Sequence, residues 1–584
     1  MPNPNHTIAY LSLEIGLDAS IPTYSGGLGV LAGDTIRAAA DVGLPYAAVT
    51  LLYRKGYFKQ SIDEWGMQQE SPVAWKPEDY LDEMPQRSFV PIEGRTVWVR
   101  AYRLMVTGVR GHAVPVYFLD TDLPENDPRD REITHSLYAG GHDLRIKQEA
   151  VLGIAGRRML RAVTHDCSVF HMNEGHGCFL TVELMSEFLA RHRTFEITPA
   201  AVEYVKRQCV FTTHTPVEAG HDRFDVRLVK QIIGEHPLFD RVDLISDAAH
   251  PGVLNTTRMA LNLSRYANGV ARKHGEVSRA MFPGYAIDSV TNGVHHLTWV
   301  HPKMRELFDE MIPSWRTSPN DLRKALGLAT ERIMRAHAAC KKDLIEHANK
   351  HSVVGGGAQL REDAFTIGFA RRSTAYKRPE LVFSDLIRLR AMAKQHGPIQ
   401  IVFAGKAHPH DGRGKEILQH VFEIGRALAT DKGASGGDVR VALLPNYDMA
   451  LAAKIVAGSD IWLNTPVPPM EASGTSGMKA AINGVASLST LDGWWLEGWV
   501  EGVTGWAVGE APGSSGSERA ADDEALTRAH ADSLYTKLER DILPTFRNDP
   551  ERWASIMRSS IALNGSYFTT QRMIRDYVLR AYLD

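Results

Sequence analysis

Two stretches of the chain carry residue types whose spacing can do chemistry. The first is Glu471-Ala472-Ser473-Gly474-Thr475-Ser476-Gly477-Met478-Lys479. Small residues let a backbone approach a ligand closely. Free amides where a helix begins attract a phosphate. A lysine about one turn into that helix can form a Schiff base with a cofactor whose phosphate rests on the loop. On residue types alone, a small-residue turn bearing a surface lysine explains the stretch as well. The second stretch is Arg371-Arg372-Ser373-Thr374-Ala375-Tyr376-Lys377-Arg378, four cations in eight residues. Guanidinium groups bind phosphate bidentately and lysine binds it as a point charge, so this reads as an anion site or, more simply, as a solvated basic loop.

The surrounding pattern is that of an α/β protein. An apolar run from Ile8 to Leu13 leads into Ser25-Gly26-Gly27-Leu28-Gly29 and an alanine-rich helix, the opening of a parallel unit. Val169 to Met172 and Cys209 to Thr213 read as further strands. A second series has strands at Phe365–Phe369, Ile399–Ala404, Val439–Leu444 and Asp460–Asn464, with a helix expected over Glu380–Lys394. Residues 321–350 read as one long charged helix, and the chain from about Asp523 as helical. Gly513–Glu518 reads as a surface loop. The expectation is two doubly wound Rossmann-like domains, 1–300 and 301–584, whose terminal helices can pack back on the first domain.

Bulk properties exclude several classes. The 584 residues are 44% hydrophobic and 23% charged, with a formal net charge of −3. No basic excess points to nucleic acid, and no apolar run is long enough to span a bilayer. The first residues lack a signal-peptide profile. Cys167, Cys178, Cys209 and Cys340 follow no zinc pattern and read as buried reduced thiols, so no metal and a cytoplasmic setting are expected.

The run from Glu471 to Lys479 closely resembles the pyridoxal-phosphate attachment site of the glycogen and starch phosphorylase family, in which a lysine lies eight residues after a glutamate. Asn483-Gly484 and Leu491-Asp492-Gly493 continue the likeness, and ordered matches extend back to Ile8. The chain is thus identified as a short bacterial-type member of that α-glucan phosphorylase family, whose architecture is the GT-B arrangement of two domains facing across a cleft.

The resemblance implies pyridoxal 5′-phosphate on Lys479, near Trp299 and Tyr447, with its phosphate held by Thr475, Ser476, Gly477, Gly27, Arg371 and Lys377. It implies inorganic phosphate at Arg372 and Lys377. It places the glucosyl unit against Gly26, Gly27, Leu28, His214, Asn292, Glu471, Ser473 and Gly474, with Glu14 nearby. The implied reaction is phosphorolysis of the non-reducing end of an α-1,4-glucan or maltooligosaccharide, giving α-glucose 1-phosphate with retention. His214, Arg372, Lys377, Glu471 and Lys479 carry it.

Departures from the family are visible. Arg371 stands where lysine is common, Thr374 where histidine is common, and Asp448 where a basic residue is common. Ser476-Gly477 replaces Gly-Asn, and Trp494, Trp495 and Trp499 form an unusual aromatic run that either stacks on sugar or packs beneath a loop. The segment that carries regulation in long family members has no counterpart, so neither that control nor the familiar dimer is expected, although another homo-oligomer is compatible. A nucleotide-sugar glucan synthase on the same fold and a non-catalytic glucan-binding protein are the alternatives.

Overall fold

The computed structural model describes residues 7–163, 165–247, 249–354, 359–430, 437–510 and 523–583. The loop expected at Gly513–Glu518 lies outside them. The chain divides into two compact units. One comprises residues 1–58, 72–292 and 570–584, and the other residues 59–71 and 293–569.

The first unit is built on a nine-stranded sheet. Its strands are β1 (Thr7–Ser12), β2 (Tyr46–Leu51), β3 (Asp82–Ile92), β4 (Arg95–Thr107), β5 (Ala113–Asp120), β6 (Cys167–Asn173), β7 (Cys209–Thr212), β8 (Tyr266–Gly269) and β9 (Asp288–Ser289), in the order β9-β8-β7-β6-β1-β2-β5-β4-β3. Seven of them are parallel, and β3 and β4 add an antiparallel edge to β5. The residues of β1 and β2 are buried almost throughout, as a sheet covered on both faces requires. Helix α1 (Gly27–Val42) follows β1 and ends at Gly43, whose φ of 73° gives the left-handed turn that closes a helix.

The second unit holds a six-stranded, wholly parallel sheet: β10 (Phe365–Ala370), β11 (Ile399–Ala404), β12 (Val439–Leu444), β13 (Ile461–Asn464), β14 (Ala486–Thr490) and β15 (Gly505–Val508). Their order is β12-β11-β10-β13-β14-β15. The strand order reverses between β10 and β13, so the loops leaving these two strands diverge and open a crevice at their carboxyl ends. At the opposite end, Asp460 is buried but answered: Lys341 Nζ lies 2.6 Å and His337 Nε2 3.1 Å from its oxygens, and the Thr366 amide donates to it at 2.7 Å.

Two helices differ from expectation. The stretch 380–394 splits into a 3-10 segment, Pro379–Phe383, and an α-helix, Leu386–His396, because the Asp385 carboxylate accepts the Arg388 amide and starts a new helix. Likewise 321–350 divides into a 3-10 run, Pro319–Gly327, and the helix Thr330–His351. The four cysteines are buried and unbridged. Among the described residues, no helix is long and apolar enough to cross a membrane.

Candidate active site

The crevice of the second unit gathers the charged residues expected there. Arg371 follows β10, and Glu471 lies in the loop that follows β13. Arg371 Nη2 is 2.5 Å from Glu471 Oε2 and Lys377 Nζ is 3.3 Å from the same oxygen, while Arg371 Nη1 donates to Asn464 Oδ1. All three charged side chains are about nine-tenths buried. Burial alone would push the Glu471 carboxyl up, but Arg371 and Lys377 outweigh it and hold the group down at about 2. The cluster carries two cations to one anion. Arg371 Nε and Thr374 Oγ1 are buried without a hydrogen-bond partner among the described residues. Donors left over in a cationic crevice suit a phosphate oxygen.

The other two cations of the stretch part company with this pair. Arg372 is exposed. Arg378 turns away at φ 45°, and its guanidinium donates to the carbonyls of Thr465 and Pro466 and contacts His530 Nδ1. It ties down the chain after β13, a structural duty the charge run did not reveal.

Lys479 is the fourth residue of the short helix α2 (Ser476–Ala481) and is buried. Its Nζ sits 3.8 Å from the centroid of the Trp299 ring. Asn483 joins the two segments: its Nδ2 donates to the carbonyls of Lys479 and Trp299, and its Oδ1 accepts the His301 amide, each at 2.8 Å. With six residues, α2 offers amides rather than a developed dipole. A Cβ on Gly477 would meet Trp494 at 2.7 Å and Ser487 Oγ at 3.1 Å, so this position needs glycine where the family has asparagine. Trp494 and Trp495 are buried, and Trp494 stacks edge-on with Phe568 at 4.9 Å. The first two residues of the aromatic run therefore pack beneath the loop. The Trp494 amide also holds the Ser473 carbonyl at 2.9 Å, and the Glu471 amide donates to Asp492 Oδ2 at 2.8 Å. Thr475 accepts the Lys479 amide and Ser476 Oγ the Trp462 indole, while Gly474 takes φ 73°. Tyr447 donates to the Ala370 carbonyl at 3.3 Å, just before Arg371. Asp448 caps the next helix through the Leu451 amide, and its charge partly offsets the burial that pushes Lys406 down to about 8.

In the first unit, the glycine loop wraps around Glu14. Its Oε2 accepts the Ser25 amide at 2.6 Å and the Gly26 amide at 3.2 Å, and its Oε1 accepts the Tyr138 hydroxyl at 2.9 Å. A Cβ on Gly29 would lie 2.7 Å from that carboxylate, whereas Gly26 and Gly27 face open space. Gly27 and Leu28 open α1, so their amides lack helical partners. His214 follows β7. Its amide donates to Glu174 Oε2 and its Nε2 lies against Asn173 Oδ1, both at 2.7 Å. Burial pushes its imidazole down to about 3, so the ring is neutral. Asn292 is buried with Oδ1 lacking a partner among the described residues, and Arg572 holds the carbonyls of Thr291 and Asn292. Glu149, His176 and Asp222 lie close enough to share a metal ion, but Arg145 already bridges the carboxylates at 2.9 and 3.0 Å and serves as their cation.

Comparison with known proteins decides the family. Residues 221–498 match the carbohydrate phosphorylase family model. The whole chain is 36% identical to a maltodextrin phosphorylase of Thermococcus litoralis, covering 71% of that protein. A glycogen phosphorylase of Mycobacterium tuberculosis is 36% identical over 98% of this chain and 70% of its own length. The chain belongs to the carbohydrate phosphorylase family. A glycogen phosphorylase of Aquifex aeolicus, 34% identical and covered over 86% of its length, extends the likeness. Within this phosphorylase-family chain, sequence reasoning missed Asn464 as the second anchor of Arg371. It also missed Asn483 as the link between Lys479 and Trp299. Both are single polar residues with at least one partner far away in sequence, Arg371 for Asn464 and Trp299 for Asn483.

Proposed function

We propose that the chain is an α-glucan phosphorylase, which removes the non-reducing-end glucose of an α-1,4-glucan with inorganic phosphate and yields α-glucose 1-phosphate with retention. The observation that carries this reading is the buried pair Arg371 and Lys377 around Glu471, at the crevice bounded by the Glu471–Lys479 loop. Pyridoxal 5′-phosphate fits the residues present: Lys479 would attach it, Trp299 and Tyr447 would flank it, and Thr475, Ser476 and Gly477 would hold it. The orphaned Arg371 Nε and Thr374 Oγ1 offer further donors. When bound, the cofactor supplies a phosphate group that can exchange a proton beside the substrate phosphate.

The rest belongs to the chain's own groups. Arg371 and Lys377, with Arg372 at the rim, would hold and orient substrate phosphate, and their positive charge stabilises the negative charge concentrated in the transition state. Glu471 is ionised at neutral pH and accepts hydrogen bonds, so it would hold a sugar hydroxyl rather than donate a proton. Neutral His214 and Asn292 Oδ1, which has no partner among the described residues, would hold further hydroxyls, and Ser473, Gly474, Gly26, Gly27 and Leu28 would supply backbone and hydroxyl contacts.

The purified protein is expected to show the absorbance of bound pyridoxal phosphate and to release glucose 1-phosphate from maltooligosaccharide and phosphate. Lys479→Ala is expected to remove both. A protein with no such band that transfers glucose from a nucleotide sugar would instead be a glucan synthase. One with the band intact and no product would be a binding protein.

A further inference from the structure

Asn173 ends β6 and is 1% exposed. Its Nδ2 lies 3.0 Å from Ser12 Oγ, and the Ser12 hydroxyl lies 2.7 Å from the Glu14 carbonyl. A carbonyl oxygen has no proton to give, so the hydroxyl donates to it and can only accept from Asn173. This fixes the amide orientation, with Nδ2 toward Ser12 and Oδ1 toward His214. Oδ1 is 2.7 Å from His214 Nε2 and has no proton either, so Nε2 must carry one. The neutral ring then bears its lone pair on Nδ1.

The backbone of the same segment is held independently. Glu174 adopts φ 74°, unusual for a residue with a side chain, and its carboxylate accepts the His214 amide at 2.7 Å and the Thr215 hydroxyl at 3.0 Å. The titratable groups facing His214 are Glu174 and the histidines 171, 176 and 274.

We propose that Asn173, oriented by Ser12, is a positioning residue that locks His214 in the Nε2–H tautomer, so that Nδ1 presents an acceptor to a hydroxyl of the sugar. A ring free to exchange tautomers would offer that hydroxyl an N–H for part of the time. The relay also ties His214 to the segment whose Glu14 holds the glycine loop, so two groups expected to meet sugar share one buried chain of hydrogen bonds. The role toward sugar rests on the phosphorylase reading, whereas the tautomer does not.

The test uses the full chain labelled with nitrogen-15 histidine, with the His214 signals assigned by their loss in His214→Gln. At pH 7 the native protein is expected to show a protonated Nε2 and an unprotonated Nδ1. A protonated Nδ1 overturns the proposal. Asn173→Asp, of the same shape, keeps the acceptor but adds charge. It is expected to raise the pH at which the ring protonates, so that kcat/KM declines on acidification before that of the native enzyme does. Asn173→Ala is expected to lower kcat/KM about tenfold, the size of one hydrogen bond. In a His214→Gln background it is expected to cost nothing more. The same loss in both backgrounds also overturns the proposal. Should the native protein lack phosphorolysis altogether, the nitrogen-15 signals still decide the tautomer, and the failure lies with the proposed function.

Discussion

Glu471→Gln tests whether the buried cations depend on their carboxylate. In the native protein the group is held at about 2 against an ordinary 4.5, because Arg371 and Lys377 outweigh the cost of burial. A depression of that size corresponds to about 3 kcal/mol of stability. The sign follows from proton binding. The unfolded chain takes up a proton near 4.5 while the folded chain does not, so the contribution is fully present above that pH. It fades as pH falls through the window and is gone below about 2. The substitution keeps the shape and removes the charge, leaving two buried cations with a neutral oxygen. Removing one partner of a buried ion pair costs about 3–5 kcal/mol, in agreement with the linkage figure. For a unit of this size, the loss corresponds to roughly 5–10 °C in Tm. The assay is thermal unfolding of the native and Glu471→Gln proteins in parallel from pH 7 to pH 3. The gap is expected to be widest at neutral pH and to shrink to roughly half or less by pH 3. A gap that is absent at pH 7, or that stays constant to pH 3, would refute the reasoning.

Two further outcomes follow from the same crevice. Arg371→Lys keeps the charge but cannot reach Asn464 and Glu471 together, so affinity for inorganic phosphate, measured by calorimetry, is expected to fall about tenfold. Trp494→Ala opens a cavity under Gly477 and is expected to cost about 3–5 kcal/mol in denaturant unfolding, with reduced cofactor retention because α2 loses its support.

What could be read from the sequence divides along a physical line. Strands such as Ile399–Ala404 and Val439–Leu444 were legible to the residue, since short apolar runs closed by turn residues record burial on both faces. Helix ends were less legible, because a single capping carboxylate, Asp385, resets the register inside a pattern that looks continuous. Residues 59–71 pack with the second unit through Gln60, which bonds to Gly405 and Asn446, and through Gln68, which bonds to Ala407. No periodicity marks such an excursion, since its partners lie more than three hundred residues away. Of the two candidate stretches, residue types disclosed the chemistry but not the division of labour. Arg371 and Arg378 are chemically equivalent in the sequence, and only the turn at φ 45° sends one to the crevice and the other to the backbone after β13.

The pairing of Arg371 with Glu471 shows how far topology can substitute for a contact map. The two residues are a hundred positions apart, and nothing local connects them. Yet the first and fourth strands of a doubly wound parallel sheet are neighbours at the switch point, and both leave the sheet at the same end. A cation following β10 and an anion following β13 must therefore meet once the strand order is known. In that order the chain runs outward from β10 to β12 on one side and then returns past β10 to add β13, β14 and β15 on the other. The chemistry at the crevice is in this sense a consequence of the winding. A fold that placed β13 beside β12 instead would separate the ends of β10 and β13, and with them Arg371 and Glu471, by three strand spacings, roughly 14 Å, and would break the pair.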